Sequence, residues 1–496
     1  MKSNASGRPK EGSDSAGKTG LFSNLFGRKS EINEPELRLI SLSDVYKEIP
    51  ETVNRGREQD IQCIFDILQK RERHNVVITG PFGVGKNAIV EAVAERIAKG
   101  TCPEDFKDKK IVQLVAEELC PNLYDPDEIT GKLLALARYL TQNPDDILYV
   151  RNFNLIVEYG LLEHFKLIFQ KFRCITTVDS QKYDEDLFEK DEFMLTYFEV
   201  LGIDDPKYEE VYDMLEYKID ELSKHHKVSI TKADVELIMD IEYREKGILL
   251  PWDVIDSIDY VMGVCKNHGL DHVNIKAIFE INKYYIKDFF EIPQERIRMI
   301  VYHEVGHCIV GKACGIKFRG IQIIPSDGAY GTNYFEPEDK GTITRAEYIN
   351  HICLHLSGFL STERKGFDKI DGVADDLKSA SITARNMVVN YGMEDEDLIS
   401  YVESNGVQIA YMSDSMKEKL DESVRKILQE AIKKTRKILD DNAENIEILV
   451  QALLKKGFLT TSEVYALLDG DENGKKLSVD DIPDLRDLLF DEQKNI

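Results

Sequence analysis

Residues 75–99 run from an apolar stretch, NVVITG, through a glycine-rich turn, PFGVGK, into the helical pattern AIVEAVAERIAK. Strand, turn and helix in that order make a phosphate-binding loop, because the turn amides and the helix N-terminus both attract anions. Further apolar runs, KIVQLV, DILYV and RCITTV, are separated by helical stretches. Strands alternating with helices predict a parallel α/β sheet. The pattern G-x-x-x-x-G-K-[ST] holds from Gly80 to Lys86 and then departs, since Asn87 stands where a hydroxyl ordinarily ligates magnesium. Gly80, Gly83, Gly85, Lys86 and Asn87 are therefore the candidate ATP-binding residues.

With 496 residues, 42% of them hydrophobic and 31% charged, the chain is expected to form two or three globular domains. A formal net charge of −26 repels phosphate backbones and anionic lipid, which excludes nucleic acid and membrane surfaces as general partners. No apolar run approaches the length of a membrane span and no signal peptide is evident. The 8 cysteines contain no CxxC pair, a usage that predicts a reducing cytoplasm. Residues 1–34, rich in Gly, Ser, Lys and Asn, read as a disordered tail holding a small apolar island, GLFSNLFGRK. The α/β part spans 35–204, a helical lid 205–288, and a mostly helical domain 289–470, which includes a short β region, FRGIQIIP. Residues 471–496 read as an acidic tail.

The second motif lies in VYHEVGHC, residues 301–308. On a helix His303 and His307 project from one face, one turn apart, so both imidazoles can bind one zinc ion. Glu304 then stands beside the metal as a general base. Ile297, Val301, Val305 and Ile309 form an apolar stripe that packs this helix without help from the histidines, and Pro293 is placed to start it. A third ligand is sought in DGVADDLKSASITARNMVVNYGM, residues 371–393. Asp376 shares a stripe with Ala380, Ala384 and Met387, whereas Asp375 shares its face with Ser379, Thr383 and Asn386. A carboxylate on a buried stripe needs a strong partner, which favours Asp376 over Asp375 and Asp371. His351 and His355 are also one turn apart, but no glutamate stands between them, and they read as a plain helix face. Cys308 reads as a small buried hydrophobe. Residues 469–480 have calcium-loop spacing, but Asp480 replaces the bidentate Glu and Lys476 replaces an apolar residue, so calcium is not expected.

From about Asn54 to Tyr260 the chain resembles the first ATPase module of the Clp chaperones, in NRGREQDI, GPFGVGKNAIVEAVAERIAKG, EKDEFMLTYFEV and LLPWDVIDSID. The resemblance implies an AAA+ P-loop fold with a helical lid. It also exposes losses. The family's Asp-Glu pair after the second strand motif falls on Arg151 and Asn152, and its paired arginine fingers fall on Thr196 and Tyr197. Arginine at 151 puts positive charge where the metal belongs, and an arginine finger alone is worth about 10³–10⁵ in rate. ATP hydrolysis is expected to be lost, while nucleotide binding through Gly83, Gly85 and Lys86 is left open.

Residues from about Ile292 to Leu468 resemble the peptidase domain of the FtsH family of ATP-dependent zinc proteases. The resemblance rests on IPQERIRMIVYHEVGHCIVG, IIPSDGAYGTNYFEPED, SGFLSTE, the 371–393 helix and RKILDDNAENIEILVQALLKKGFLTTSEV. It implies zinc bound by His303, His307 and Asp376, with Glu304 as base, and an extended protein or peptide substrate added as a strand near Gly320–Tyr334. The family's usual Pro-Arg is Pro325-Ser326 here, and its transmembrane segments have no counterpart in the sequence. Both resemblances imply a homo-oligomeric ring. The expected function is that of a cytoplasmic zinc metalloendopeptidase with a disabled AAA+ module. A fully ATP-driven protease and a non-catalytic assembly protein are the alternatives.

Overall fold

The computed structural model describes residues 31–34, 37–48, 56–115, 119, 126–182, 191–281, 286–325, 331–335, 341–368, 371–394, 413–471 and 474–489. The apolar island at 20–29, Ser326, and two residues of the calcium-like stretch, 472 and 473, lie outside them. The chain divides into two compact units, residues 1–227 with 250–255, and residues 228–249 with 256–496. The first division therefore falls inside the helical stretch expected at 205–288, with the helix Tyr208–His226 in the first unit and Lys232–Lys246 in the second.

The first unit is built on a seven-stranded sheet: β1 (Glu31–Glu34), β2 (Leu37–Ser41), β3 (Asn75–Gly80), β4 (Ile111–Leu114), β5 (Ile147–Val150), β6 (Cys174–Asp179) and β7 (Phe198–Gly202). Their order is β1-β2-β4-β5-β6-β3-β7. The five strands β4, β5, β6, β3 and β7 run parallel, as the alternation of strands and helices predicts. Leu148 and Val150 of β5 face one core while Ile147 and Tyr149 face the other. Burial on both faces is why this strand reads as an unbroken apolar run. The helix α1 (Lys86–Lys99) follows the glycine-rich turn and packs Ile89, Val90 and Val93 into one of the two cores.

Two expectations about the tails are corrected. Residues 31–34, assigned to a disordered tail, form β1 and pair antiparallel with β2. EINE is mostly charged and polar, a composition that an edge strand tolerates. In the stretch read as an acidic tail, Ile482, Leu485 and Leu489 are buried, so the chain packs as far as Leu489. Three apolar residues at helix-like spacing are enough to anchor it.

The second unit is mostly helical. Its site is carried by α2 (Gln294–Ala313), α3 (Arg345–Arg364) and α4 (Ala374–Val389), beside a small antiparallel sheet. That sheet joins β8 (Phe318–Gln322), β9 (Thr332–Phe335) and β10 (Phe458–Leu459) in the order β10-β8-β9, leaving β9 at an edge. Pro293 is the N-cap of α2, and Ile297, Val301, Val305 and Ile309 are all buried, as the stripe requires. Thr344 and Glu347 close a capping box on α3. Helices α2 and α3 approach closely through glycine. A Cβ on Gly306 would lie 2.5 Å from Ser361 Cβ and 2.7 Å from Ser357 O.

Candidate metal centre and phosphate loop

Helix α2 brings His303 and His307 onto one face, and α4 brings Asp376 to them. Nε2 of His307 lies 3.1 Å from Nε2 of His303 and 3.2 Å from Oδ2 of Asp376, and His303 Nε2 is 3.3 Å from the same oxygen. The carbonyl of Leu354 accepts from Nδ1–H of His307 at 2.9 Å, so Nε2 presents its lone pair to the cluster. Ser357 Oγ lies 3.1 Å from the same Nδ1. Nδ1 of His303 is buried and has no hydrogen-bond partner among the described residues. Burial raises the Asp376 carboxyl, but the two imidazoles outweigh it and hold this group well below the usual carboxylate range.

Three electron-pair donors this close require a positive charge between them. Their spacing suits zinc, since bonds of about 2.0–2.1 Å in a tetrahedron put ligand atoms roughly 3.3–3.4 Å apart. His303, His307 and Asp376 are the one group among the described residues whose ligand atoms converge in this way. Asp375, one residue earlier, is exposed, while Ala380, Ala384 and Met387 are buried beneath Asp376.

Glu304 is 7% exposed. Burial pushes its carboxyl up to about 7, against the charge of His303 and a hydrogen bond from Asn333. Asn333, on β9, donates from Nδ2 to the Glu304 backbone carbonyl and to Oε2, each at 2.8 Å. Gly331 leaves room beside the same carboxylate, because a Cβ there would lie 2.6 Å from Oε1. Gly358 on α3 does the same for the histidines: its Cβ would lie 2.4 Å from His303 Cε1 and 2.5 Å from His307 Nε2. Asn333, Gly331, Gly358 and Ser357 lie within the segments that carry the peptidase resemblance, but sequence reasoning gave none of them a role in the site. His355 is half-buried, and burial lowers its pKa. Cys308 is buried, its thiol pushed up to about 12, and it packs as a hydrophobe.

In the first unit the loop after β3 has Gly83 and Gly85 at φ +89° and +103°, and Gly85 is the N-cap of α1. Lys86 donates to Gly80 O at 2.9 Å, Pro81 O at 2.8 Å and Asp179 Oδ1 at 2.7 Å. Asn87 Oδ1 accepts from Tyr149 Oη at 2.7 Å and lies 3.5 Å from Thr177 Oγ1. A cavity of about 600 Å³ opens over the loop, lined by Gly83, Gly85, Lys86, Asn87, Arg151 and Trp252 among others. Gly80 is the last residue of β3 beneath it. Thr196 and Tyr197 lie on the short helix Glu192–Tyr197, where Thr196 is exposed and Tyr197 packs against Phe193.

Residues 291–467 match Peptidase family M41, and residues 51–179 match the SMAX1 nucleotide binding domain. The C-terminal part of this chain is a peptidase M41 domain. It is similar to the ATP-dependent zinc metalloprotease FtsH of Mycoplasmopsis synoviae, 32% identical over 186 residues, 35% of this chain and 28% of that one. The chain is also similar to the negative regulator of genetic competence ClpC/MecB of Bacillus subtilis, 28% identical over 252 residues, 48% of this chain and 31% of that one. It thus spans less than a third of the length of either relative. A solved structure of Hsp104 with ATPyS and FITC casein covers 54% of this chain at 17% identity, with 48% of that chain covered and a TM-score of 0.45. The M41 domain follows an α/β nucleotide-binding region with a parallel sheet, which is the fold class expected from the sequence. Among the described residues no helix is long and apolar enough to cross a membrane.

Proposed function

We propose that this chain is a zinc metalloendopeptidase whose N-terminal module binds ATP without hydrolysing it. The observation that carries the reading is the convergence of His303, His307 and Asp376 with Glu304 buried beside them. When bound, zinc supplies Lewis acidity that polarises a peptide carbonyl and acidifies water. Glu304 takes the proton of the attacking water and passes it to the leaving amine as the C–N bond breaks. Asn333 orients Oε2 of that carboxylate, and a base near pH 7 suits both halves of the transfer. The edge strand β9 offers backbone groups to an extended protein or peptide substrate.

Three features support loss of hydrolysis. Asn87 has no hydroxyl, its amide oxygen is engaged by Tyr149, and Arg151 lines the cavity in place of a metal-holding carboxylate. The free cysteines, among them Cys63, Cys174 and Cys353, support a reducing cytoplasm, and a homo-oligomeric ring is the assembly both likenesses imply.

The test is metal analysis of the purified chain, with casein cleavage followed without nucleotide, with ATP and with a non-hydrolysable analogue. Stoichiometric zinc, cleavage indifferent to the nucleotide and no phosphate release are expected. Cleavage that needs hydrolysable ATP would restore a working motor, and a zinc-free, inactive chain would leave only an assembly role. Asp376→Asn is expected to weaken zinc binding by more than about a hundredfold, since even outer partners of a metal ligand are worth 10–100-fold. Asp375→Asn should leave zinc affinity unchanged, and equal losses in both variants would remove Asp376 from the ligand set.

A further inference from the structure

We propose that the cavity over the phosphate loop takes a nucleoside polyphosphate without a divalent cation, with the guanidinium of Arg151 neutralising the phosphates in the ion's place. This rests on the reading that the loop still binds nucleotide, and adds the form in which it does so.

The sheet puts Arg151 beside the loop. Val150, the last residue of β5, is in register with Thr176 of β6, and Asp179 at the end of β6 is in register with Gly80 at the end of β3. The first residue beyond β5 therefore emerges next to the turn that leads into α1. Asn152 follows in the left-handed region, at φ 58°, and its backbone N–H donates to Thr177 Oγ1 at 3.4 Å, which fixes the turn. Arg151 lines the same cavity as Lys86 and Asn87, where its charge also acts on the buried Glu91 carboxyl.

Magnesium has little to hold it there. A phosphate loop ordinarily anchors the ion through a Ser or Thr hydroxyl and an acidic residue after a neighbouring strand, in a near-octahedral set of oxygens. The first position is Asn87, whose oxygen is turned to Tyr149 and Thr177. The second region carries Arg151. The carboxylates that line the cavity are already partnered: Glu91 by Tyr46 Oη at 3.0 Å, Asp179 by Lys86 at 2.7 Å, and Glu221 by Lys218 at 2.8 Å. A guanidinium presents several N–H donors in a plane that matches phosphate oxygens, so it supplies both the charge and the directionality that the ion provides elsewhere.

The chain contains one tryptophan, Trp252, and it lines this cavity. Its backbone N–H donates to Gly83 O at 3.3 Å and its ring meets Phe82 edge-on at 5.9 Å. Trp252 fluorescence is thus a reporter of the loop. The experiment titrates the zinc-loaded full chain with ATP, once in magnesium-free buffer and once with excess magnesium, following Trp252 emission and, independently, equilibrium dialysis of labelled ATP. Binding without magnesium at least as tight as with it is expected. Arg151→Ala should weaken the magnesium-free titration by about tenfold or more, the worth of one charge-assisted phosphate contact. Unchanged zinc content and thermal midpoint show that the variant is folded. Binding that requires magnesium, or that ignores Arg151→Ala, overturns the proposal and leaves nucleotide binding standing. No binding in either condition overturns both.

Discussion

Replacing Glu304 with Gln is expected to cut casein cleavage by about 10²–10⁴-fold, the range supplied by a positioned proton-transfer group, while zinc content stays at the wild-type level. Glutamine has the shape of glutamate, and its side-chain oxygen can still accept from Asn333, so the packing of a residue only 7% exposed is kept. What is lost is the ability to take a proton. The carboxyl is raised to about 7 chiefly because it is buried, so the site holds a group able both to accept and to release a proton near neutrality. Cleavage close to the wild-type rate would remove Glu304 as base. Loss of zinc together with activity would instead assign it to the architecture of the metal centre.

Gly358→Ala is expected to damage the centre from the opposite helix. The added Cβ would stand 2.4 Å from Cε1 and 2.5 Å from Nδ1 of His303, and 2.5 Å from Nε2 of His307. Neither ring can retreat cheaply, because α2 already meets α3 at the Gly306 contact with Ser361 and Ser357. Overpacking of this kind costs about 1–3 kcal/mol in stability, and a displaced ligand is expected to lower zinc affinity by about 10–100-fold. A competitive chelator titration measures the second effect directly. Gly341→Ala serves as the control, since a Cβ there meets nothing within 4 Å. If Gly358→Ala holds zinc as tightly as the control, the close approach of α3 has no part in the site.

The features legible in the sequence were those written within one element. The glycine loop is contiguous, and His303, Glu304 and His307 sit within one and a half turns of α2. Asp376 was reachable because a stripe of Ala380, Ala384 and Met387 marks which aspartate of the pair faces inward. The roles of Asn333, Ser357 and Gly358 were not legible, although their segments carry the family resemblance. They reach the centre because β9 and α3 pack against α2, and no periodicity or residue chemistry singles them out. The same limit hid β7, whose pairing partner β3 lies in a distant segment, whereas β1 pairs with the adjacent β2 and was hidden by its polar composition. It also hid the burial of Ile482, Leu485 and Leu489 within an acidic stretch, where composition outweighed a three-residue apolar pattern.

The ion pair between Lys86 and Asp179 sets terms of entry at the phosphate loop. An ammonium has three N–H donors, and here the carbonyls of Gly80 and Pro81 and the carboxylate of Asp179 take all three. A phosphate therefore competes for Lys86 with a resident anion, and its affinity is the difference between two charge-assisted bonds rather than the strength of one. A lone small anion gains almost nothing by that exchange. A chain of phosphates that also meets the loop amides gains at each further contact, so the pair works as a threshold that grades anions by their number of linked charges.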